Sequence, residues 1–300
     1  MNVGIIGNGV MGKRRANSLA GCELLGTADV GEADRIIKST MIDIVIVSTP
    51  IDSLARLTVE ALQHGKHVLV EKPGAHDRDE LQAMRDAERE SGHHVRVGFN
   101  LRYHRAFRKA FEIVDQIGSV MYVRARYGHG GRSGYGKEWR MQKGAGEMLD
   151  QGSHLIDLAG VFLVSRFEEV DASLLNCYWD DAEADDNAFL VLRTEDKKLA
   201  FLHASCTEWK NLFSFEVFGR EGKLEVSGLG GSYGTERLTL CHKRAEGEPP
   251  DIETWEYLSP DDSLEQEMRA FLRDIWADHT PVPGLAEADA VLRVVEEARS

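Results

Sequence analysis

Cysteine is scarce in this sequence of 300 residues, and its distribution excludes several classes of protein. Cys22, Cys177, Cys206 and Cys241 are widely separated, and no two of them form a Cys-x-x-Cys pair. Small secreted domains rely on closely spaced disulfides, and zinc ribbons rely on paired cysteines, so the sequence fits neither class. We therefore expect reduced and mostly packed thiols in a cytoplasmic protein.

Long apolar runs are also missing from the sequence. No segment approaches the roughly 20 apolar residues that a membrane-spanning helix requires, so we expect no membrane partner. The first residues, Met1–Gly7, have the pattern of a strand that enters a turn rather than the basic head of a signal peptide. Secretion is therefore not expected.

Basic residues are outnumbered by acidic ones. Lys and Arg total 36 against 50 Asp and Glu, which gives a formal net charge of −14 at pH 7. A domain that binds the phosphate backbone of nucleic acid carries a basic excess, so we expect no nucleic-acid partner. With 42% hydrophobic residues, a chain of this length can bury a full core, in about two domains, without disulfides or metals.

The first third of the sequence alternates between short apolar segments typical of strands and amphipathic segments typical of helices. The clearest strand is Ile42–Ser48, because its β-branched run is apolar on both sides, as in the middle of a covered parallel sheet. This alternation predicts an α/β fold with a doubly wound parallel sheet, in a first domain over residues 1–119. The predicted strands are Val3–Ile6, Glu23–Ala28, Ile42–Ser48, His67–Val70 and Val95–Phe99.

The pattern changes beyond a predicted domain boundary near residue 119. A helix over about 152–164 precedes a series of strand-like segments between 168 and 258, whose hairpin-like succession predicts a meander of antiparallel strands. Two amphipathic segments close the sequence, and the last, at about 285–299, is a candidate to pack back on the first domain. The second domain is therefore predicted to be of the α+β type, over residues 120–300.

A glycine-rich motif of the form G-x-G-x-x-G directly follows the first predicted strand and opens a helix. In dinucleotide-binding domains the first glycine permits a tight turn, the second admits the pyrophosphate and the third lets the helix pack closely. A tight turn in some other α/β protein is the alternative. The candidate cofactor residues in the motif are Gly7, Asn8, Gly9, Val10, Met11 and Gly12.

Asp29 stands near the end of the next predicted strand, where a carboxylate would hold a ribose diol. Because this carboxylate would repel a 2′-phosphate, NAD is favoured over NADP. Lys13, Arg14 and Arg15 follow the turn and leave NADP possible, although they also fit a solvated helix face.

Two further groups have the chemistry of an alcohol oxidation. Asp150, His154 and Asp157 would project from one face of a helix. A carboxylate next to an imidazole raises the basicity of the imidazole, which suits a proton acceptor for an alcohol. A plain helix-surface contact is the alternative for these residues. Lys72 follows the fourth predicted strand, and open α/β sheets bind their ligands beyond the carboxyl ends of the strands.

With these residues in place, the sequence resembles the Gfo/Idh/MocA family of NAD(P)-dependent oxidoreductases over essentially its whole length. The resemblance implies a Rossmann domain, followed by a domain whose mostly antiparallel, open-faced sheet is often used to form oligomers, here a homodimer or homotetramer. It rests on five blocks, GNGVMG at 7–12, STP at 48–50, HGKHVLVEKP at 64–73, GFNLRYH at 98–104 and GAGEMLDQGSHLIDL at 144–158.

The resemblance also implies roles for individual residues. Lys72 would contact the reacting hydroxyl, His154 would be the acid/base, and Asp150 would be a further partner of the substrate or of His154. One departure is Leu54, where the family commonly has a histidine. The remaining residues implied at the cofactor are Ser48, Thr49, Pro50 and Glu71, in addition to Lys72.

Substrate contacts are predicted in a glycine-rich loop, because backbone N–H groups beside Arg132 and Arg140 would suit a diphosphate or a carboxylate. Trp139 could stack on a sugar. A solvated loop with stray charges is the alternative. The loop also resembles family members that act on nucleotide-linked sugars. Asn100, Arg102 and Tyr103 follow the fifth predicted strand and could line the pocket, although core or surface roles fit them nearly as well.

These observations predict an NAD(P)-dependent oxidoreductase that acts on a secondary alcohol or ketone of a sugar, a polyol or a nucleotide-linked sugar. The alternatives are a glycoside hydrolase that uses NAD in a transient redox step and a non-catalytic NAD-bound sensor. No metal is predicted. The adjacent residues His93 and His94 diverge from each other and fit a solvated turn, and the acidic run at 180–186 lacks the spacing of a calcium loop.

Overall fold

A computed structural model describes residues 1–131, 134–245 and 247–300, which divide into two compact units. The first unit contains Met1–Asn100 and Asp262–Arg293, and the second contains Leu101–Asp261 and Val294–Ser300. Among the described residues, no helix is both long and apolar enough to cross a bilayer.

The α-helices are numbered in chain order. They are α1 Val10–Ala16, α2 Asp34–Ile37, α3 Leu54–Gln63, α4 Arg78–Ser91, α5 Arg105–Ile113, α6 Ser153–Leu163, α7 Ser263–Ala277 and α8 Leu285–Ala298.

The strands are numbered in the same way. They are β1 Asn2–Ile6, β2 Glu23–Ala28, β3 Ile44–Val47, β4 His67–Glu71, β5 Val95–Gly98, β6 Val120–Gly130, β7 Phe167–Leu175, β8 Asn187–Thr194, β9 Leu199–Ser205, β10 Thr207–Gly219, β11 Gly222–Ser227, β12 Glu236–His242 and β13 Asp251–Tyr257.

The first unit is built on a parallel sheet with the strand order β2-β1-β3-β4-β5, which confirms the predicted doubly wound fold. All four residues of β3 are buried, as its apolar sequence predicts. The core that covers one face of this sheet combines Ile5, Ile46 and Leu69 of the strands with Met268 and Phe271 of α7. The carboxyl ends of β1, β3 and β4 therefore meet at one edge, where α/β folds bind their ligands.

The second unit is built on a mostly antiparallel sheet with the order β13-β12-β11-β10-β6-β9-β8-β7. The predicted meander is interrupted, because β6 lies between β9 and β10 and pairs in parallel with β9. Along β6 the side chains alternate, with Val123 and Ala125 buried and Tyr122 and Arg124 exposed. One face of the sheet is thus covered and the other is open.

The division between the units differs from the one predicted at residue 119. Helix α5 belongs to the second unit, because Phe107 packs edge-to-face on Phe213 and Phe215 of β10. An amphipathic pattern predicts a helix but does not say which sheet its apolar face covers. The chain also returns to the first unit after β13, and α8 contains residues of both units.

Candidate functional site

The glycine turn between β1 and α1 has the geometry that a dinucleotide-binding turn requires. A Cβ atom on Gly7, which has φ +111°, would lie 2.4 Å from the carbonyl oxygen of Ser48, and one on Gly12 would lie 1.8 Å from that of Gly7. Only glycine fits at these two positions. A Cβ on Gly9 would meet no atom of the described residues within 4 Å. The second glycine therefore faces open space, where a pyrophosphate can approach.

Two other predicted cofactor residues of the first unit, Asp29 and Ser48, contact this turn. The backbone N–H of Asn8 donates to Oδ1 of Asp29 at 3.0 Å, which places the carboxylate beside the turn. The hydroxyl of Ser48 donates to the carbonyls of Ile6 and Gly7, each at 3.2 Å. Thr49 accepts a hydrogen bond from Ser53 at 2.7 Å, and Pro50 is exposed at the same edge. Val10 is also exposed, Met11 is partly exposed, and both begin α1.

Among the basic residues after the turn, Lys13 and Arg14 are exposed, as in the alternative of a solvated helix face, but Arg15 is buried. Its guanidinium is 1% exposed; Nε donates to Glu71 at 2.7 Å and Nη1 donates to Glu267 of α7 at 2.5 Å. Burial opposes the charge of Arg15, but the two carboxylates outweigh this effect and raise its pKa. Sequence reasoning missed this network, although Arg15 follows Gly12 by one helical turn and so shares its sheet-facing side.

Lys72 directly follows the last residue of β4, Glu71, and is partly buried. Glu71 accepts a hydrogen bond from Arg15 of α1, and Arg15 also donates to Glu267 of α7, so the residue before Lys72 is linked to α1 directly and to α7 through Arg15. The predicted contact of Glu71 with the cofactor stays a prediction.

His154 lies on the first turn of α6, directly after a π-helical turn over Met148–Gly152 that contains Asp150. The imidazole is 6% exposed, and its ring centre lies 6.1 Å from that of Tyr127 on β6. The ring of Tyr127 in turn meets that of Tyr233 edge-to-face at 5.5 Å. The second unit thus holds an imidazole and two phenols close together.

Both predicted carboxylates beside His154 hold an arginine. Oδ2 of Asp150 accepts a hydrogen bond from Nε of Arg140 at 3.0 Å. Asp157 accepts two from Arg102, at 2.8 Å from Nε and 2.6 Å from Nη2. Sequence reasoning placed these arginines among the substrate contacts; the structure gives each of them a carboxylate partner in the same unit.

The remaining predicted substrate residues are spread more widely. The side chain of Trp139 is 42% exposed and covers the guanidinium of Arg140 at 4.4 Å. Asn100 belongs to the first unit, where it donates to Ser263 at 3.0 Å, whereas Tyr103 is a partly exposed residue of the second unit. Arg132 lies outside the described residues.

A buried cluster below the glycine-rich loop was not predicted. Glu147 is fully buried; it accepts a hydrogen bond from the hydroxyl of Tyr135 at 2.9 Å and lies 3.5 Å from Nε2 of His129. Burial lowers the pKa of His129, but Glu147 outweighs burial, so the pKa is raised. A single glutamate in the GAGEMLD block was the available signal, but only the fold shows which groups face it.

His93 and His94 are not a solvated turn as predicted, because their rings pack on that of His67 at 4.8 and 5.4 Å. In the described part of the chain, no group of three or more His, Cys, Asp or Glu residues could hold a metal ion.

Comparison with known families covers both units. Residues 8–99 match the profile described as the oxidoreductase family with an NAD-binding Rossmann fold, and residues 107–225 match that of the GFO/IDH/MocA C-terminal domain. The chain belongs to the Gfo/Idh/MocA family. This membership confirms the resemblance seen in the sequence and makes the first unit of this Gfo/Idh/MocA protein an NAD-binding domain.

Several curated relatives of this Gfo/Idh/MocA protein are, by their names, sugar or polyol enzymes. Levoglucosan dehydrogenase of Pseudarthrobacter phenanthrenivorans is 26% identical over 75% of this chain and 73% of its own length. An NADP-dependent scyllo-inositol 2-dehydrogenase of Bacillus subtilis is 25% identical over 75% of this chain and 61% of its own. A dTDP-3,4-didehydro-2,6-dideoxy-α-D-glucose 3-reductase of Streptomyces violaceoruber is 30% identical over 49% of this chain and 44% of its own.

Solved structures show the same fold over the whole chain. Levoglucosan dehydrogenase in complex with NADH and levoglucosan has a TM-score of 0.84 at 23% identity and covers 100% of this chain and 97% of its own. Aldose–aldose oxidoreductase of Caulobacter crescentus has a TM-score of 0.86 at 22% identity, with 100% of this chain and 97% of its own covered. At this identity the likeness concerns the fold alone.

Proposed function

We propose that the protein transfers a hydride between NAD and a secondary alcohol or ketone of a sugar, a polyol or a nucleotide-linked sugar. The observation that supports this most directly is that an NAD-binding domain of this family carries Lys72 at the carboxyl end of β4 and the second unit carries His154 at the start of α6. The named activities of the curated relatives point to the same substrate classes.

The residues of the first unit fit a dinucleotide. The turn Gly7–Gly12 offers open space at Gly9 and free backbone N–H groups at the start of α1 for the pyrophosphate. Asp29 would hold the ribose diol of the adenosine and would repel the 2′-phosphate of NADP, so NAD is the preferred cofactor and NADP the weaker one. When bound, NAD supplies the hydride acceptor of the oxidation.

We assign the other steps to three side chains. Lys72 donates a hydrogen bond to the hydroxyl oxygen of the substrate and stabilises the negative charge that develops on it. His154 accepts the hydroxyl proton during oxidation and returns it during reduction. Asp150, which precedes α6, is a further partner of the substrate or of His154, and the hydrogen bond from Arg140 orients its carboxylate.

His154→Ala tests this assignment. We expect kcat to fall by about 10²- to 10⁴-fold, the usual contribution of a general base, while the Kd for NAD stays unchanged. The measurements are the formation of NADH with a panel of sugars and polyols, and NAD binding by calorimetry. Turnover equal to that of the wild type would remove His154 from the mechanism.

Two other functions are separate outcomes of the same assay. Cleavage of a glycoside without net formation of NADH would indicate a hydrolase that regenerates its NAD. Tight NAD binding without reaction on any sugar, polyol or nucleotide sugar would indicate a sensor.

We further propose that the protein forms a homodimer or homotetramer through the open face of the second unit's sheet. Aromatic residues on that face support this, since Tyr122 and Phe201 are exposed there at 37% and 41%. Light scattering of the wild type and of Phe201→Lys tests it, because a charge in the interface would dissociate the oligomer.

The cytoplasmic location of the protein remains a prediction.

A further inference from the structure

The charges around His154 bear on which of the proposed substrates the second unit can accept. A sugar monophosphate carries about −1.5 to −2 charges at pH 7, and the diphosphate of a nucleotide-linked sugar is anionic as well. Cations that can form two parallel hydrogen bonds favour such ligands, and nearby carboxylates disfavour them. Uncharged sugars and polyols need acceptors for their hydroxyl groups instead, and carboxylates provide these.

Arg102 and Arg140 are already engaged by carboxylates that lie within four residues of His154 in the sequence. Arg102 uses Nε and Nη2 in a two-pronged contact with Asp157, which is the same fork that would grip a phosphate. Arg140 gives Nε to Asp150, and its Nη1 lies 3.7 Å from Oε2 of Glu138. Capture of a phosphate by the fork of Arg102 would require breaking its contact with Asp157. An anion bound by Arg140 would lie beside the carboxylates of Asp150 and Glu138.

Lys137, a cation of the loop that contains Arg140, is also opposed by an acidic group. Nζ of Lys137 lies 3.5 Å from Oδ2 of Asp181. Behind the loop, the buried Glu147 adds a further negative charge. Burial raises the pKa of Tyr233 to about 12; a hydrogen bond with Tyr127 opposes this rise, and the charges of Glu147 and Asp150 add to it.

We propose that the substrate is an uncharged sugar or polyol, and that Glu138 and Asp150 exclude phosphorylated and nucleotide-linked sugars by holding Arg140. The inference rests on the proposed function and narrows its substrate class.

Calorimetry on the NAD-loaded full-length protein tests the proposal with matched pairs of ligands. The pairs are D-glucose with glucose 6-phosphate, N-acetylglucosamine with UDP-N-acetylglucosamine, and myo-inositol with inositol 1-phosphate, together with levoglucosan as a further uncharged sugar. We expect at least one uncharged member to bind, at least about tenfold more tightly than its charged partner, because like charges at a recognition surface select against the wrong ligand. Tighter binding of a charged member in any pair, or binding by no uncharged compound, would overturn the proposal.

Glu138→Gln sharpens the test, because it removes one carboxylate from Arg140 and keeps the size of the side chain. We expect the affinity for the charged member of a pair to rise several-fold, and the affinities for NAD and for the uncharged member to stay the same. Glu169→Gln is the matched control, since Glu169 lies 3.2 Å from Arg193 in an ion pair between β7 and β8. An equal rise in both variants, or none in Glu138→Gln, would contradict the role of Glu138.

The binding data also separate this inference from the proposed function. If NADH forms only with nucleotide sugars, the function stands and the inference fails. If uncharged sugars bind preferentially but no NADH forms with any of them, the selectivity stands and the proposed reaction fails.

Discussion

The glycine turn of the first unit and the start of α6 in the second unit are the two polar regions assigned to ligands, and they are built in different ways. In the turn, steric space and the backbone conformation determine whether a ligand can bind, because there is no room for a Cβ at Gly7 and Gly12 and there is open space at Gly9. Around α6, charged side chains in pairs are decisive, as in Arg140 with Asp150. Substitutions in the first region should therefore act sterically, and those in the second should act through charge.

Arg15 gives the largest expected effect and is the strongest challenge to this comparison, because it forms buried ion pairs only one helical turn after Gly12. Arg15→Met leaves Glu71 and Glu267 buried without their cation, so we expect the free energy of unfolding to fall by about 3–5 kcal/mol. Denaturation by urea in the absence of NAD measures this loss.

Arg35→Met is its control, since Arg35 and Glu32 form an exposed pair whose loss should cost about 0–1 kcal/mol. Equal losses in the two variants would mean that the buried network contributes no more than a surface ion pair.

Gly9→Ala sharpens the comparison at the turn itself. The new methyl group would meet no described atom within 4 Å, so the unfolding midpoint without NAD should change little. The same group would occupy the approach of the pyrophosphate, and we expect the Kd for NAD to rise at least about tenfold, or about 1.4 kcal/mol.

Gly12→Ala provides the contrast, because its methyl group would collide with the carbonyl of Gly7 and should lower both stability and NAD affinity. If Gly9→Ala bound NAD as tightly as the wild type, the turn would not be the site of the pyrophosphate.

At Asp29, charge enters the cofactor selectivity of the first unit. Asp29→Ser removes the carboxylate that would repel a 2′-phosphate. We expect the difference in binding free energy that favours NAD over NADP to fall by about 1 kcal/mol. Calorimetric titration with both dinucleotides measures this difference, with Asp34→Ser on α2 as a control. An unchanged difference would assign the preference to other residues.

His129 gives the smallest expected effect and tests the charge-based character of the second unit. Its pKa is raised in the folded protein because Glu147 outweighs the effect of burial, so protonation stabilises the fold. This contribution is complete below the unfolded pKa of about 6.5 and is lost as the pH rises through the folded value. His129→Gln should therefore flatten the decrease in stability over that interval, as measured by urea unfolding at several pH values. A pH profile identical to that of the wild type would contradict the pairing with Glu147.

Most of the first unit could be read from the sequence because its signals are local. The β-branched run of β3, the glycine motif and Asp29 each mark a position along the chain, and parallel strands bring their carboxyl ends to one edge. In the second unit, the strands were recognisable from their pattern, but the insertion of β6 between β9 and β10 was not, since no local feature states which strands will be neighbours.

Sequence spacing placed Asp150, His154 and Asp157 near one another, because helical periodicity is a property of consecutive residues. Their partners came from elsewhere. Arg102 reaches Asp157 from the start of the second unit, and Glu267 reaches Arg15 across more than half of the chain, so the packing of distant segments determined which charges are neutralised. The sequence by itself determines which side chains are neighbours along a helix or strand. Only the tertiary structure decides which charged side chains are buried and paired, because distant segments must pack together to remove them from water.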